Sequence, residues 1–421
     1  MLTPPDTTSP DQSLQRSWDV VIIGAGPAGA VSAYQLARLG KKVLLVDKAS
    51  FPRDKVCGSC LSARTLGYLT EAGLGHVVSE LGAQPIGNLH LRTAGGASTI
   101  AFPIGFAVSR QSLDQAIVEK AQSVGALFLP STTALVGALA GSTRTVILET
   151  AGVYTAVQSA CVLVCDGVNG RALNELSSEE KDRFKPTVSA NSRIGSGAVV
   201  SLPDNEAGLY YRPGTIYMAL DKNGYVGIVC MENNKIDLAG AFEPAYTRMH
   251  GSTRAAAAKI LRDAGLPFLH VFETAEWLGT APYTRHRETL AAERLFIVGD
   301  AASYGEPFTG EGIGWAVKSA LLAVPLVERA LAGWDNSLVG EWQRIHKTMV
   351  ANRQRLSLTL GGWLRHEFSI TTLVRLLRIA PILAGPFVNA INRCSPDFAD
   401  KQGKRKQTFK LSMASKVGQP K

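Results

Sequence analysis

The stretch "DVVIIGAGPAGAVSAYQLARLGKKVLLVDK" (19–48) decides the fold. Its β-branched run "VVII" predicts a buried strand, "AGAVSAYQLARLG" predicts a helix that ends at Gly40, and "KVLLVD" predicts a second strand. Two strands joined through a helix form a βαβ unit, in which the strands lie parallel. The sequence therefore predicts an α/β fold around a parallel sheet.

The turn between the first strand and the helix, "GAGPAG", has the GxGxxG spacing at Gly24, Gly26 and Gly29. The first glycine permits the tight turn, the second lets a pyrophosphate approach the backbone, and the third lets the helix pack on the strand. Free N–H groups at the helix start favour phosphate. Asp47 ends the next strand, 18 residues after Gly29, where a carboxylate can bond ribose hydroxyls. The pattern predicts a dinucleotide site and does not distinguish NAD from FAD.

The rest of the chain divides into further α/β segments and a β-rich insertion. Residues 189–232 contain short β-rich segments separated by the turn signals "PDN", "RPG" and "DKNG", which predicts an antiparallel sheet in a substrate domain. We assign 17–82, 105–178 and 283–345 to the nucleotide-binding domain, 83–104 and 179–282 to the substrate domain, and 346–421 to a helical C-terminal region with a basic tail. Residues 1–16 are expected to be a disordered leader.

The positive charge is concentrated at the C-terminal end. Residues 351–421 hold 13 Lys/Arg and 3 Asp/Glu, whereas the whole chain has a net charge of +9. Such a segment can face anionic lipid, nucleic acid or an acidic partner, or be a solvated end. We expect no nucleic acid partner, and two alternatives stay open for this region: a peripheral contact with a lipid surface, or a packed helical cap with a solvated basic end. The apolar run 379–391 is too short for a span, and with six sparse cysteines and no secretory signal we expect a cytoplasmic protein.

Two distant stretches, "VLVCDGVNG" (162–170) and "RLFIVGDAASYGEPFTGEGIGWA" (294–316), resemble the fingerprints of one FAD-dependent superfamily. It contains the aromatic monooxygenases similar to p-hydroxybenzoate hydroxylase and the geranylgeranyl reductases. The resemblance implies a Rossmann-like FAD-binding domain of the glutathione-reductase type, with an inserted antiparallel substrate sheet. It also implies non-covalently bound FAD, and NAD(P)H or another reductant as the electron donor.

The resemblance also assigns FAD contacts. Asp300, after Gly299, would bind the ribityl chain of the flavin. The helix that starts near Gly310 and Gly312, with Ile313 just inside, would point its N-terminus at the flavin pyrimidine, where a helix dipole stabilises negative charge. The remaining contacts implied are those of Ala28 in the glycine turn, Arg110, Ala134 beside the adenine, Asp166 and Gly167.

The loop "FPRDKVCGSCLSARTLGYL" (51–69) contains the CxxC pair Cys57 and Cys60. It is similar to the loop of the reductase branch that runs past the flavin ring. That similarity implies a catalytic, flavin-side Cys57 with Gly58 and Ser59 presenting backbone to the cofactor, and an incidental Cys60. A redox disulfide, half of a zinc site and a structural pair of small thiols are the alternatives. Zinc needs two more suitably spaced ligands, so we expect no metal.

We therefore expect an FAD-dependent oxidoreductase for a hydrophobic organic substrate, either aromatic or polyketide-like, or isoprenoid-like. It would act through hydroxylation by a flavin hydroperoxide or through hydride reduction of a C=C bond. The "YxWxFP" motif of the lipid reductases is only partly present, since Tyr217 is kept and Met218, Ala219 and Leu220 follow. A flavin/CxxC disulfide oxidoreductase and a non-catalytic FAD-binding partner protein are the other readings.

Overall fold

The computed structural model describes residues 17–203, 208–306, 308 and 310–392, so the predicted leader and the basic tail from 393 onward lie outside the described residues. In chain order the strands are β1 (Trp18–Ile23), β2 (Val43–Val46), β3 (Cys60–Ser62), β4 (Gln84–Thr93), β5 (Gly96–Ala107), β6 (Leu127–Leu129), β7 (Thr132–Ala140), β8 (Thr143–Thr150), β9 (Val153–Val164), β10 (Thr187–Val188), β11 (Ile194–Ser201), β12 (Thr215–Asp221), β13 (Gly224–Cys230), β14 (Lys235–Phe242), β15 (Leu278–Gly279), β16 (Arg285–His286), β17 (Ala291–Ala292), β18 (Leu295–Ile297) and β19 (Ser303–Tyr304).

The helices are α1 (Pro27–Arg38), α2 (Ala63–Glu71), α3 (Val77–Glu80), α4 (Arg110–Ser123), α5 (Ser178–Arg183), α6 (Pro244–Met249), α7 (Thr253–Asp263), α8 (His270–Thr274), α9 (Gly312–Ala332), α10 (Ser337–Trp363), α11 (Glu367–Ile379) and α12 (Gly385–Asn392). The predicted βαβ unit of residues 19–48 is present as β1, α1 and β2, with α1 ending two residues before Gly40, whose φ is 74°.

The first sheet has the strand order β17-β18-β9-β1-β2-β6 and is parallel from β18 to β6. In register, β1 pairs Val20 with Val43 and Ile23 with Val46. The strands β1 and β2 are buried along their whole length apart from one half-buried residue, and α1 packs on both of them while α9 packs on β9. This explains why they read as uninterrupted apolar runs in the sequence.

The second sheet has the order β15-β11-β14-β13-β12-β4-β5-β3 and is antiparallel except where β12 pairs with β4. The part of this sheet that consists of β3, β4 and β5 begins earlier and ends later than the predicted segment 83–104. Cys60 to Ser62 pair with Ala107 to Gly105, so β3 and the end of β5 belong to this sheet although we assigned them to the nucleotide-binding segments. The reason is that β5 is 12 residues long and carries its pairing past the expected boundary.

The C-terminal helices cover the second sheet. The inner side of α11 buries Ile370, Val374 and Leu377 against β4 and β5. The buried guanidinium of Arg193 donates to the Leu364 carbonyl at 3.3 Å and so ties the start of this cover to β11. The expected boundary at 346 falls inside α10, which begins at Ser337. Among the described residues, no helix is long and apolar enough to cross a membrane.

Candidate active site

The glycine turn after β1 has the geometry that its spacing predicts. Gly24 has a φ of 101°, and a Cβ there would lie 2.4 Å from the Cys165 carbonyl oxygen. A Cβ on Gly29 would lie 1.8 Å from the Gly24 carbonyl oxygen. Gly26 caps α1 without any side-chain hydrogen bond, so the first N–H groups of the helix face the turn. A larger residue at Gly24 would push the turn away from the chain just after β9, and one at Gly29 would push α1 away from the turn.

Asp47 is held against this turn. Its Oδ2 accepts a hydrogen bond from the Ala25 N–H at 2.7 Å, and its Oδ1 accepts one from the Ala49 N–H at 2.9 Å. The carboxylate lies in the wall of a cavity of about 500 Å³ between the two sheets. It is therefore fixed in orientation at the position where the sequence predicts ribose binding.

Two arginines converge on the start of α1 through a shared carboxylate. Arg110 donates from Nε to Asp114 Oδ1 at 3.0 Å and from Nη2 to Oδ2 at 2.6 Å, while Arg53 Nη1 lies 3.1 Å from Asp114 Oδ2. A Cβ on Gly26 would lie 3.8 Å from Nη2 of both arginines. Burial opposes the charge of Arg110, but Asp114 and Cys57 outweigh it and raise its pKa. The pair presents positive charge where a pyrophosphate would meet the helix.

Glu232 positions Arg110 from the other domain. Its Oε1 accepts a 2.6 Å hydrogen bond from the Ser109 hydroxyl and a 2.8 Å bond from the Ser112 hydroxyl, at the N-terminus of α4. The carboxylate is buried. Since Arg110 is the first residue of α4, this contact from the β13–β14 connection fixes the helix start on which the guanidinium stands.

Lys55 and Asp300 face the same part of the cavity. Burial lowers the pKa of Lys55, and Arg110 lowers it further, whereas Asp300 opposes the change. Lys55 Nζ lies 3.2 Å from where a Cβ on Gly167 would stand. The positive groups Arg53, Lys55 and Arg110 thus surround the region between the glycine turn and the short 3-10 turn Gly299–Ala301. This arrangement suits the doubly charged pyrophosphate of a dinucleotide.

The cavity brings most of the predicted site residues together. Its walls contain Asp47, Cys57, Gly58, Ser59, Arg110, Asp166, Asp300, Gly310, Gly312 and Ile313. Behind the walls lie Gly24, Gly26, Ala28, Gly29, Gly167 and Gly299. A Cβ on Gly299 would lie 2.8 Å from the Ala28 Cβ, so these two residues set how closely the two turns approach. Ala134 lies buried on β7 outside the walls, and its contact with adenine stays a prediction.

The N-terminus of α9 opens at the cavity. The helix begins at Gly312, capped by Glu311, and Gly310 before it has a φ of 67°. Glu311 Oε1 accepts a 2.7 Å bond from Arg64 Nη1, which anchors the turn to α2. The first N–H groups of α9 therefore lie beside the CxxC loop, as the expected flavin contact at Gly310, Gly312 and Ile313 requires.

The CxxC loop forms part of the same wall. Ser59 has a φ of 50°, a left-handed conformation that explains why glycine would suit this position. Its N–H lies 3.4 Å from Cys57 Sγ, and its carbonyl accepts from the Val108 N–H at 3.0 Å. Both thiols are free. Burial raises the pKa of Cys57, against the effect of Arg110, and burial also raises the pKa of Cys60. Both groups are therefore protonated thiols at neutral pH.

The rest of the cavity is apolar. Aliphatic side chains and four aromatic rings line it: Ile86, Leu89, Leu91, Ile216, Met218, Ile228, Val229, Tyr225, Tyr283, Tyr304 and Phe308. Tyr225 meets Phe308 edge to face at 5.2 Å, and Tyr283 lies 5.5 Å from Tyr304. Within the described chain, no group of three or more His, Cys, Asp or Glu residues could hold a metal ion. The cavity thus joins a polar, cationic end to an apolar end.

Several of these residues were not predicted from the sequence. Arg53 and Lys55 stand in the quoted CxxC stretch, where only the cysteines, Gly58 and Ser59 were singled out. Asp114 lies four residues after Arg110, a helical spacing typical of an ion pair, which could have been found. The aromatic residues at 225, 283 and 308 carry no shared pattern in the sequence.

The family profile described as "FAD binding domain" matches residues 17–338, three quarters of the chain. The chain belongs to this family of FAD-binding proteins. The contacts of FAD with the glycine turn, Arg110 and the α9 N-terminus stay predictions. The predicted Rossmann-like fold with a substrate domain is confirmed, and so is FAD as the cofactor.

Curated relatives include reductases. The chain is 28% identical over 389 residues to menaquinone reductase of Mycobacterium tuberculosis, covering 85% of this chain and 88% of that protein. It is 25% identical over 344 residues to digeranylgeranylglycerophospholipid reductase of Methanocaldococcus jannaschii, covering 79% and 83%. Among solved structures, p-nitrophenol 4-monooxygenase of Pseudomonas putida superposes with a TM-score of 0.70 at 13% identity, covering 90% and 99%. The protein is an FAD-dependent oxidoreductase, as predicted.

Proposed function

We propose that the protein uses FAD to reduce a C=C bond in the isoprenoid chain of a hydrophobic substrate, with NAD(P)H or another reductant as the electron source. The observation that carries this proposal is the continuity of the apolar cavity end with the Cys57–Ser59 loop and the start of α9. The names of the two reductases among the relatives support the same chemistry.

The wall residues and Cys57 would have different roles in this reaction. Bound FAD supplies the hydride. The aliphatic and aromatic wall excludes water and holds an extended hydrocarbon by contact alone. The Cys57 thiol, protonated and beside the cavity, is placed to give the proton that the second carbon needs. One hydride and one proton saturate the C=C bond, and the thiolate left behind must be reprotonated.

Anaerobic turnover tests this proposal. The enzyme with NADPH or dithionite and an isoprenoid quinone or a geranylgeranyl lipid should form a product with two more hydrogen atoms, detected by mass spectrometry. Ile216→Trp should fill the cavity and abolish turnover without loss of bound flavin. The matched control Tyr154→Trp changes a residue that is 70% exposed on β9 and should behave as the wild type.

Aromatic hydroxylation is the second candidate, because the aromatic rings of the wall could also stack on a planar substrate. Its signature is different: turnover would consume O₂ and add one oxygen atom to the product. Strict dependence on O₂ would contradict the reductase proposal.

We also propose that the C-terminal region contacts an anionic lipid surface. A C-terminal apolar patch, consisting of Trp363, Phe368, Leu376, Ile379, Ile382 and Leu383, leaves between 49% and 85% of each side chain exposed. Arg365, Arg375 and Arg378 stand in the same segment. Apolar side chains that insert between lipids and cations that meet headgroups are the combination used by peripheral helices.

The same helix connects this patch with the substrate cavity. The inner residues Ile370, Val374 and Leu377 of α11 pack in one cluster with Tyr225 and Tyr283, which line the cavity. The helix α11 therefore contributes both to this patch and to the packing behind the cavity wall.

Vesicle co-sedimentation tests the lipid contact. The protein should bind vesicles that contain anionic lipid, and salt should weaken the binding. The triple variant Phe368→Ser, Ile379→Ser, Ile382→Ser should lose binding and keep its flavin, whereas Leu139→Ser, at an exposed site on β7, should bind as the wild type. An intact protein that ignores anionic vesicles at low salt would contradict the proposal.

A further inference from the structure

A second cavity, of about 450 Å³, lies beside the first. Asp54, Lys55, Val56 and Leu278 line both cavities. The second cavity is otherwise walled by residues 197–201 of β11, by residues 271–276 at and after α8, and by Asp237 of β14. The segment directly before Cys57 is thus the partition between the two spaces.

Asp237 is a buried acid in the wall of the second cavity. It is 4% exposed and stands on β14 between Val199 and Val229, its paired residues on the neighbouring strands. Its Oδ2 is buried and forms no hydrogen bond with any described residue. A buried carboxyl that lacks a full set of hydrogen-bond partners destabilises the fold unless it is neutral. The position of Asp237 therefore indicates a role other than packing.

The groups that face Asp237 come from every neighbouring element. The CxxC loop contributes the Ser59 hydroxyl and the two thiols, and α4 contributes Arg110. The partition contributes Asp54 and Lys55, and Glu276 lies in the far wall. Burial raises the pKa of Asp237 to about 8, Ser59 and Arg110 oppose this change, and Asp54 adds to it. At neutral pH the carboxyl therefore carries a proton.

We propose that Asp237 is a proton relay that carries protons from the second cavity to the Cys57–Ser59 loop in the wall of the first. The idea rests on the proposed function, because reduction of a C=C bond consumes one proton each turnover. After the Cys57 thiol gives its proton to the substrate carbon, the Asp237 O–H gives a proton to the thiolate, directly or through the Ser59 hydroxyl. The Asp237 carboxylate then takes a proton from water in the second cavity, so protons balance and no electrons move.

The backbone of the loop fits such a relay. Ser59 is 2% exposed and has a φ of 50°, a conformation that costs a non-glycine residue free energy. Serine at this position adds a hydroxyl that hydrogen-bonds to Asp237 and that glycine would lack, while the Ser59 N–H lies 3.4 Å from Cys57 Sγ. Ser59→Gly should therefore fold at least as well and still slow the relay.

The first test needs no substrate. Asp237→Asn keeps the shape of the side chain but cannot pass a proton. It also removes the negative charge that the ionised carboxylate brings near Cys57 and that raises the pKa of this thiol. In the Cys60→Ser background, the pH midpoint of Cys57 alkylation, followed by peptide mass spectrometry, should fall by about one unit. Glu273→Gln, an exposed acid-to-amide change on α8, should leave the midpoint unchanged. Asp237→Ala is the second variant if the asparagine form does not fold.

The second test uses the reaction. Asp237→Asn should leave flavin reduction by NAD(P)H unchanged and slow flavin reoxidation by the isoprenoid at least about 10-fold, with a larger solvent deuterium effect than in the wild type. An unchanged alkylation midpoint, or an unchanged rate of reoxidation, overturns the relay. If the wild type reduces no isoprenoid, the proposed function fails instead, and a shifted midpoint would still place Asp237 in electrostatic contact with Cys57.

Discussion

Asp114→Asn tests the paired arginines of the cofactor site. The Asp114 side chain is 1% exposed and is shared by Arg110, at 2.6 and 3.0 Å, and Arg53, at 3.1 Å. Asparagine keeps the volume and one acceptor but removes the charge. The two guanidinium groups would then be buried together without a common anion, at the start of α1.

The magnitude follows from this geometry. Removing one partner of a buried ion pair costs about 3–5 kcal/mol, and the retained amide acceptor places the expected loss near the lower end, about 3 kcal/mol. The pyrophosphate of FAD would supply an anion to the same arginines. We therefore expect the loss to shrink to about 2 kcal/mol at saturating FAD, which corresponds to roughly fivefold tighter FAD binding by the variant.

Urea denaturation with and without FAD, together with FAD titration, provides the assay. The matched control is Asp263→Asn, which breaks the exposed pair with Lys259 and should change the free energy of unfolding by less than about 1 kcal/mol in both forms. A variant that loses the same stability with and without FAD would refute the placement of the phosphates against these arginines. A loss no larger than in the control would refute the ion-pair argument itself.

Four further predictions test other parts of the site. Gly29→Ala should lower both flavin content and the denaturation midpoint, because its Cβ would meet a carbonyl oxygen at 1.8 Å and overpacking costs about 1–3 kcal/mol or more. Asp300→Ala should lose FAD in equilibrium dialysis while the far-UV spectrum is kept. Cys57→Ser should slow turnover and Cys60→Ser should not, and equal loss with a disulfide seen by mass spectrometry would favour a redox pair. Burial raises the folded-state pKa of Asp237 to about 8, so the contribution of this carboxyl to the free energy of unfolding falls as pH rises from about 4 to 8. Urea denaturation should therefore show Asp237→Asn gaining stability relative to the wild type over that window.

The βαβ unit and its glycine turn could be predicted from the sequence because everything that determines them is local. Gly24, Gly29 and Asp47 lie within 24 consecutive residues. The local backbone geometry requires each of them, and their spacing in the sequence already indicates that geometry. The α9 start was predicted from a resemblance, and the structure gives its physical basis in the helix that begins at Gly312.

The cationic and apolar walls could not be predicted in the same way. Arg53 and Lys55 act through a loop that folds back over the glycine turn, and loop paths leave no periodic pattern. Tyr225 lies on β13, whereas Tyr283 and Phe308 lie in connections far along the chain, so their contacts depend on the tertiary fold. The pairing of Cys60 with Ala107 could not be predicted for a related reason, since nothing local in the sequence shows it.

The sequence contains a partial signal for Asp237. In "KIDLAGAF" (235–242) the alternation puts Asp237 on the same face as Ala239 and Ala241, opposite Ile236 and Leu238. A charged residue in line with small residues on a strand indicates a face that borders a cavity. The signal becomes informative only when the cavity on that side is known.

The flavin content of the purified protein tests the central claim most directly. The account predicts a yellow protein that releases about one FAD per chain when boiled, identified by its mass, and that rebinds FAD after removal. It also predicts that Asp300→Ala, folded and purified in the same way, is colourless. A wild-type protein that is colourless and does not take up added FAD would contradict the account.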